Sequence, residues 1–278
     1  MKNPNNVLQT VGVLSISLML TSSQAINGVI PQMKEALNIS QSQSELLGTA
    51  PSITVILFIL LSSYVADKLG MRKTIIIGLL LAGIGGILPV FVANFPIVLI
   101  SRIILGAGLG LYNSLAVTYI SALYTGNARA SLLGMRSSME AIGQTVLIFL
   151  AGILVNISWT ASFSVYALAF PIALLFALRV PEVKIEKSES GSVKEKMNPA
   201  VYALVLFAIL LVMNSIAISV RFSSIVTEIN GSAFNASNYL ALMPILGIAA
   251  GFIFGAVNRT FGNKTMYLGI GFFILSNV

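Results

Sequence analysis

Apolar residues run along this chain in long blocks separated by short polar clusters. A stretch of about 20 apolar residues spans the hydrocarbon core of a bilayer as a helix, because only closed backbone hydrogen bonding is tolerated there. The pattern predicts eight such helices, over residues 7–31, 44–66, 73–93, 96–122, 129–155, 158–179, 199–226 and 237–257. A ninth opens near Thr265, and the 14 residues left to Val278 are too few to cross. Truncation is the expectation.

One long polar stretch interrupts the blocks. Residues 180–198 mix charge with serine and glycine and lack apolar periodicity, which predicts a flexible cytoplasmic linker. The chain then divides into a six-helix bundle (1–179), the linker (180–198) and the start of an incomplete second bundle (199–278). An internal repeat supports that division. Shifting by 192 residues lays 63–73, the turn between the second and third spans, onto 255–265 after the eighth. The same shift carries the start of the first span onto the start of the seventh. Two complete six-helix halves would need about 385 residues.

Composition strengthens the membrane reading, with 56% hydrophobic and 9% charged residues against about 25% charged in soluble domains. The formal net charge of +7 is explained by its distribution. With the N-terminus inside, Lys2, Lys68, Arg72, Lys73, Arg129, Arg179, Lys184, Lys187, Lys194, Lys196, Arg259 and Lys264 all fall inside, and only Lys34 falls outside. That asymmetry follows the positive-inside rule and predicts a multi-pass protein of the cell membrane with a cytoplasmic N-terminus. Nucleic acid is not needed as a partner. Trp159 falls at the outer interface, where amphipathic rings concentrate.

The chain has no cysteine, no histidine and a single aspartate, which leaves little for acid–base or metal chemistry. An enzyme is not expected, nor any cofactor or metal. No phosphate-binding Gly-x-x-x-x-Gly-Lys-Ser/Thr loop appears, so nothing points to ATP as a driving force. No ring-forming filter sequence suggests a channel either.

The turn after the second span reads Ser63, three residues, Asp67-Lys68-Leu69-Gly70-Met71-Arg72-Lys73. It resembles the signature of the major facilitator superfamily, with serine in place of the leading glycine. Physically, Gly70 permits a tight reversal, Arg72 and Lys73 anchor the boundary, and a carboxylate there can face a helix N-terminus. The resemblance implies that Asp67 takes part in a gating loop. Arg102, Gly106 and Gly110 in the fourth span resemble the family's arginine-then-glycine pattern, where the arginine serves proton transfer. Arg102 lies about 9 Å inside its span, so snorkelling to the outer face and lining a cavity are both open. Gly106 and Gly110 would let helices approach closely, as would Gly134 and Gly143 of the fifth span, which partly resemble the family's antiporter motif. The Gly-Pro pair of that motif is Leu147-Ile148 here, so import and export both stay open. Trp159 to Phe163 resembles the aromatic opening of the sixth family helix. The resemblance implies an all-α integral membrane protein with an MFS-type bundle, six N-terminal transmembrane helices plus about two and a half of the C-terminal six.

Glu140 is the acidic residue that falls well inside a span, and a carboxylate in hydrocarbon needs a cavity, a cation or a proton. Arg136 and Gln144 flank it at i−4 and i+4, forming a polar stripe on one helix face. Glu140 is expected to carry the coupling proton, with Arg136 modulating it and Arg102 assisting, or else to form a static ion pair with Arg136. Thr21, Ser22, Ser23, Gln24 and Asn27 in the first span, Asn113 in the fourth and Asn214 and Arg221 in the seventh are candidate cavity residues, Gln24, Asn27 and Asn113 foremost. Gly247, Gly251 and Gly255 read as packing. The expected function is secondary transport of a small organic solute by alternating access, proton-coupled, a drug-like compound in an efflux system being one form of it. An organic-anion carrier, a uniporter and a non-transporting receptor are the alternatives. The expected partners are a small-molecule substrate, H⁺ and the lipid bilayer, with the protein monomeric.

Overall fold

The computed structural model describes residues 4–183, 199–230, 235–246, 248, 260–261, 267 and 269–272. Most of the linker, the far end of the eighth expected span, most of the ninth, most of the second repeat turn, and Gly247, Gly251 and Gly255 lie outside the described residues.

The helices are α1 (Pro4–Ser15), α2 (Ile30–Leu37), α3 (Gln41–Leu69), α4 (Met71–Phe91), α5 (Phe95–Leu123), α6 (Gly126–Leu154), α7 (Ala169–Arg179), α8 (Pro199–Asn230) and α9 (Ala236–Leu240). Among the described residues, seven helical segments are long and apolar enough to cross a membrane. The limits of α3, α4 and α5 fall within a few residues of those the apolar blocks predict, whereas the first segment runs on to Leu37.

Two spans are not the continuous helices that were expected. The first, Val7–Leu37, runs as α1, then three 3-10 turns at Ile16–Met19, Ser22–Gln24 and Asn27–Val29, then α2. The sixth opens as a 3-10 run, Ala161–Leu168, before α7. In the first span Thr21, Ser23 and Gln24 make bonds to neighbouring spans, and these compete with a regular i→i−4 ladder.

Local chemistry sets the other helix limits. The Ser40 side chain accepts from the Gln43 N–H while Gln43 reaches back to the Ser40 N–H, a reciprocal cap that starts α3. Asn94 caps α5 through the Ile97 N–H at 2.9 Å. A single residue, Gly70, joins α3 to α4 with φ of 89°, a conformation that suits only glycine. The start of α4 is held by the chain that follows α7. The Arg72 N–H donates to Glu182 Oε1 at 3.2 Å, the Arg72 guanidinium donates to the Ala177 carbonyl, and the Tyr119 hydroxyl donates to the Pro181 carbonyl. Glu182 thus seats a carboxylate at the positive end of this helix.

The core lies among the first six spans, where Tyr112, Tyr119, Phe163, Tyr166 and Phe176 are fully buried. By contrast, the lipid-ready outer faces carry Ile53, Leu57, Leu60, Ile84 and Leu174. α8 meets these spans through its C-terminal half. Ser223 donates to the Asn27 carbonyl at 2.8 Å, Gln41 donates to Ser224 at 3.3 Å, and Arg221 pairs with Glu45 at 3.3 Å. Leu206, Leu210 and Met213, nearer the start of α8, are exposed. These contacts gather at the end that the charge asymmetry assigns to the outside, around a cavity of about 700 Å³ lined by Lys34, Glu35, Gln41, Arg221 and Glu228.

Candidate functional site

α6 comes close to the irregular first span at Gly143. A Cβ built there would collide with the Leu18 backbone, so only glycine allows this distance. The close approach brings the residues on either side of Gly143 to the first span. Thr21 Oγ1 donates to the Glu140 carbonyl at 3.4 Å, and Gln144 Nε2 donates to Gln24 Oε1 at 2.5 Å.

The charged pair lies on the same face. Arg136 Nη1 is 3.5 Å from Glu140 Oε2, and the two side chains are 15% and 30% exposed. Arg136 Nη2 donates to Asn113 Oδ1 of α5 at 3.4 Å. The Arg136 Nε is buried and has no partner among the described residues, and the same holds for the Tyr112 hydroxyl on α5. The structure therefore gathers Gln24, Asn113, Arg136, Glu140 and Gln144, drawn from three spans, into one polar patch inside an apolar bundle.

Other candidates go elsewhere. Asn27 is 2% exposed, with its carbonyl bonded to Ser223 of α8 and its Oδ1 unpartnered, so it marks the contact with α8. Asn214 is half-buried on α8, and no hydrogen bond ties it to the α6 face. Asp67, Lys68 and Lys73 are exposed at the α3–α4 turn, with the Lys68 ammonium 4.6 Å from the centre of the Tyr64 ring. Gly106 and Gly110 pack against α3, where a Cβ would come within 2.5 Å of the Pro51 carbonyl oxygen and 2.6 Å of that of Val55. Gly134 differs: among the described residues a Cβ there meets nothing within 4 Å.

Arg102 does not snorkel. It is 0% exposed and donates to Tyr166 Oη at 2.7 Å, to the Leu47 carbonyl at 3.1 Å and to the Ser23 carbonyl. No ion pair or hydrogen bond joins it to Glu140. Sequence reasoning missed Tyr166, Glu45 and Glu182 as partners. Pro51 was the available signal for the Leu47 carbonyl, because a proline inside a helix leaves the carbonyl four residues earlier without its donor.

A bundle of helices long and apolar enough to cross a membrane, with an irregular first span and a polar patch among its spans, defines a helical membrane protein. The chain belongs to the Major Facilitator Superfamily, whose sequence profile matches residues 12–278. It is 24% identical over 161 residues to the bacillibactin exporter of Bacillus subtilis (strain 168), covering 55% of this chain and 40% of that protein. It is 27% identical over 169 residues to the putative niacin/nicotinamide transporter NiaP of the same organism, covering 60% of this chain and 42% of NiaP. The chain thus spans less than half the length of these curated relatives. Among solved structures, an inward-facing, unoccupied bacterial homologue of the human lysosomal transporter Spinster superposes with a TM-score of 0.75. The identity is 18%, over 95% of this chain and 64% of that one. The inward-open xylose transporter XylE from E. coli gives a TM-score of 0.56 at 20% identity, over 64% of this chain and 48% of that one.

Proposed function

We propose that this protein is a proton-coupled secondary transporter of a small organic solute, working by alternating access between a bundle of residues 1–179 and a second one begun by 199–278. Glu140 carries the coupling proton, and Gln24, Asn113 and Gln144 line the adjoining solute path. The observation that supports this reading most directly is the Arg136–Glu140 pair, held to Asn113 of α5 inside the bundle. An ionisable pair at that depth is costly unless it is used. The named relatives, an exporter and a niacin/nicotinamide transporter, leave direction and solute open. A position in the cell membrane with the N-terminus inside rests on the charge asymmetry.

Proteoliposomes carrying an internal pH dye test the coupling across a panel of small solutes. The native protein is expected to move protons with solute, whereas Glu140→Gln binds solute without proton flux. Equal proton flux in both would remove Glu140 from the mechanism. A second reading, an organic-anion carrier, is favoured by the buried Arg136 Nε, an unused donor on a guanidinium that an anion could fill. Transport restricted to anionic members of the panel and lost in Arg136→Gln would select it.

A further inference from the structure

Arg102 is a buried cation whose bonds go to two backbone carbonyls and a phenol, with no carboxylate partner among the described residues. The identity of those carbonyls is informative. In an uninterrupted helix the Leu47 carbonyl would accept from the N–H of residue 51. That residue is Pro51, inside α3, and it has no N–H. Arg102 Nε fills the gap at 3.1 Å. In the irregular first span, the carbonyls of Thr21, Ser22 and Ile26 accept from the backbone N–H groups of Gln24, Ala25 and Val29. The Ser23 carbonyl goes to Arg102. Unmet carbonyls inside a bilayer cost several kcal/mol each, and a planar fork of donors can meet two at once.

Gly106 completes the arrangement one turn further along α5. A Cβ there would sit 2.5 Å from the Pro51 carbonyl oxygen and 2.9 Å from its Cα. The bare glycine lets α5 press against the proline and puts Arg102 within reach of Leu47. Tyr166, packed over Gly86, fixes the guanidinium from the third side.

We propose that Arg102 is a positioning residue. It supplies donors to the carbonyls that Pro51 and the irregular first span leave open, and so holds residues 21–24 against α6. Its importance for transport rests on the reading of that α6 face as the solute path. The proposal gives Arg102 no part in carrying the proton.

Because the chain has no cysteine, Gln24→Cys and Gln144→Cys introduce the only two thiols, and a short bifunctional thiol reagent reports their proximity in membranes. With Arg102 present the cross-link forms in high yield. Arg102→Met and Arg102→Lys are each expected to lower the yield about fivefold or more, since methionine offers no donor and a single ammonium nitrogen cannot reach acceptors spread around a planar fork. Pro51→Ala returns an N–H to Leu47 and leaves Ser23 unserved. It should therefore raise the melting temperature of the Arg102→Met protein, give no such gain beside native Arg102, and leave the cross-link low. Undiminished cross-linking in Arg102→Met, retention in Arg102→Lys, or an equal effect of Pro51→Ala in both backgrounds would each overturn the proposal. If Arg102→Met alone does not fold, recovery of a folded protein by Pro51→Ala supports the proposal and continued loss refutes it. None of these readouts uses proton flux, so a failure of Glu140 coupling stays distinguishable.

Discussion

Arg136 and Glu140 lie one turn apart on α6 with 3.5 Å between Nη1 and Oε2, and their order along the helix is the weaker one. An acid N-terminal to its base complements the helix dipole, whereas here the base comes first. Helix stabilisation alone therefore explains little of this pair, and its interior position carries the weight.

The two partners differ in what removal leaves behind. A carboxyl group can take up a proton and become neutral, while a guanidinium stays charged. Glu140→Gln leaves a mostly buried cation without an anion, and Arg136→Gln leaves a group that can neutralise itself. The first is expected to cost about 1–2 kcal/mol more than the second. The double substitution should lie nearest the native protein. Thermal unfolding in detergent micelles measures all three, and equal costs for the single variants would contradict the asymmetry.

Gly143 and Gly134 are two glycines of one helix with opposite surroundings. A methyl at Gly143 runs into the Leu18 backbone, while at Gly134 it meets open space. Gly143→Ala is expected to destabilise by about 1–3 kcal/mol through overpacking and to break the Gln144–Gln24 bond by pushing α6 outward. Gly134→Ala removes a flexible residue from the helix interior and should stabilise by about 1 kcal/mol. Melting temperatures would then move in opposite directions, by about 2–4 °C per kcal/mol. Similar losses at both positions would show that backbone freedom, and not contact, governs these sites.

The sequence makes the spans plain because the bilayer leaves little choice, as α3, α4 and α5 illustrate by starting and stopping close to their apolar blocks. The stripe of Arg136, Glu140 and Gln144 is likewise legible, since helical geometry alone puts i, i+4 and i+8 on one face. Their partners are not. Gln24 meets α6 because Gly143 admits the first span, and Asn113 meets it from α5, tertiary facts with no local signature. The irregular stretch from Ile16 to Val29 contains no proline, and its cause lies partly in Arg102, 79 residues from Ser23. Conversely, Pro51 reads as a breaker yet sits inside the 29-residue α3, because a distant side chain serves the carbonyl it orphans. Tyr166 carried no signal beyond being one aromatic in an apolar span.

Glu45 and Arg221 join α3 to α8 at the end assigned to the outside, with side chains 31% and 63% exposed. A pair that open to water contributes at most about 1 kcal/mol, so neither Glu45→Gln nor Arg221→Gln should move the melting temperature by more than a few degrees. Its effect should fall on conformation. The pair bridges two segments whose separation would open the cavity between them, and even a small differential contact shifts a balanced two-state equilibrium several-fold. Each single substitution is expected to raise thiol labelling from the outside at a cysteine placed at Gln41, and the charge swap Glu45→Arg with Arg221→Glu should return it to the native level. Placing cysteines at 45 and 221 and linking them with a reducible reagent should stop solute transport, with recovery on reduction. Transport at the native rate with the link intact would mean that these ends of α3 and α8 never part during the cycle.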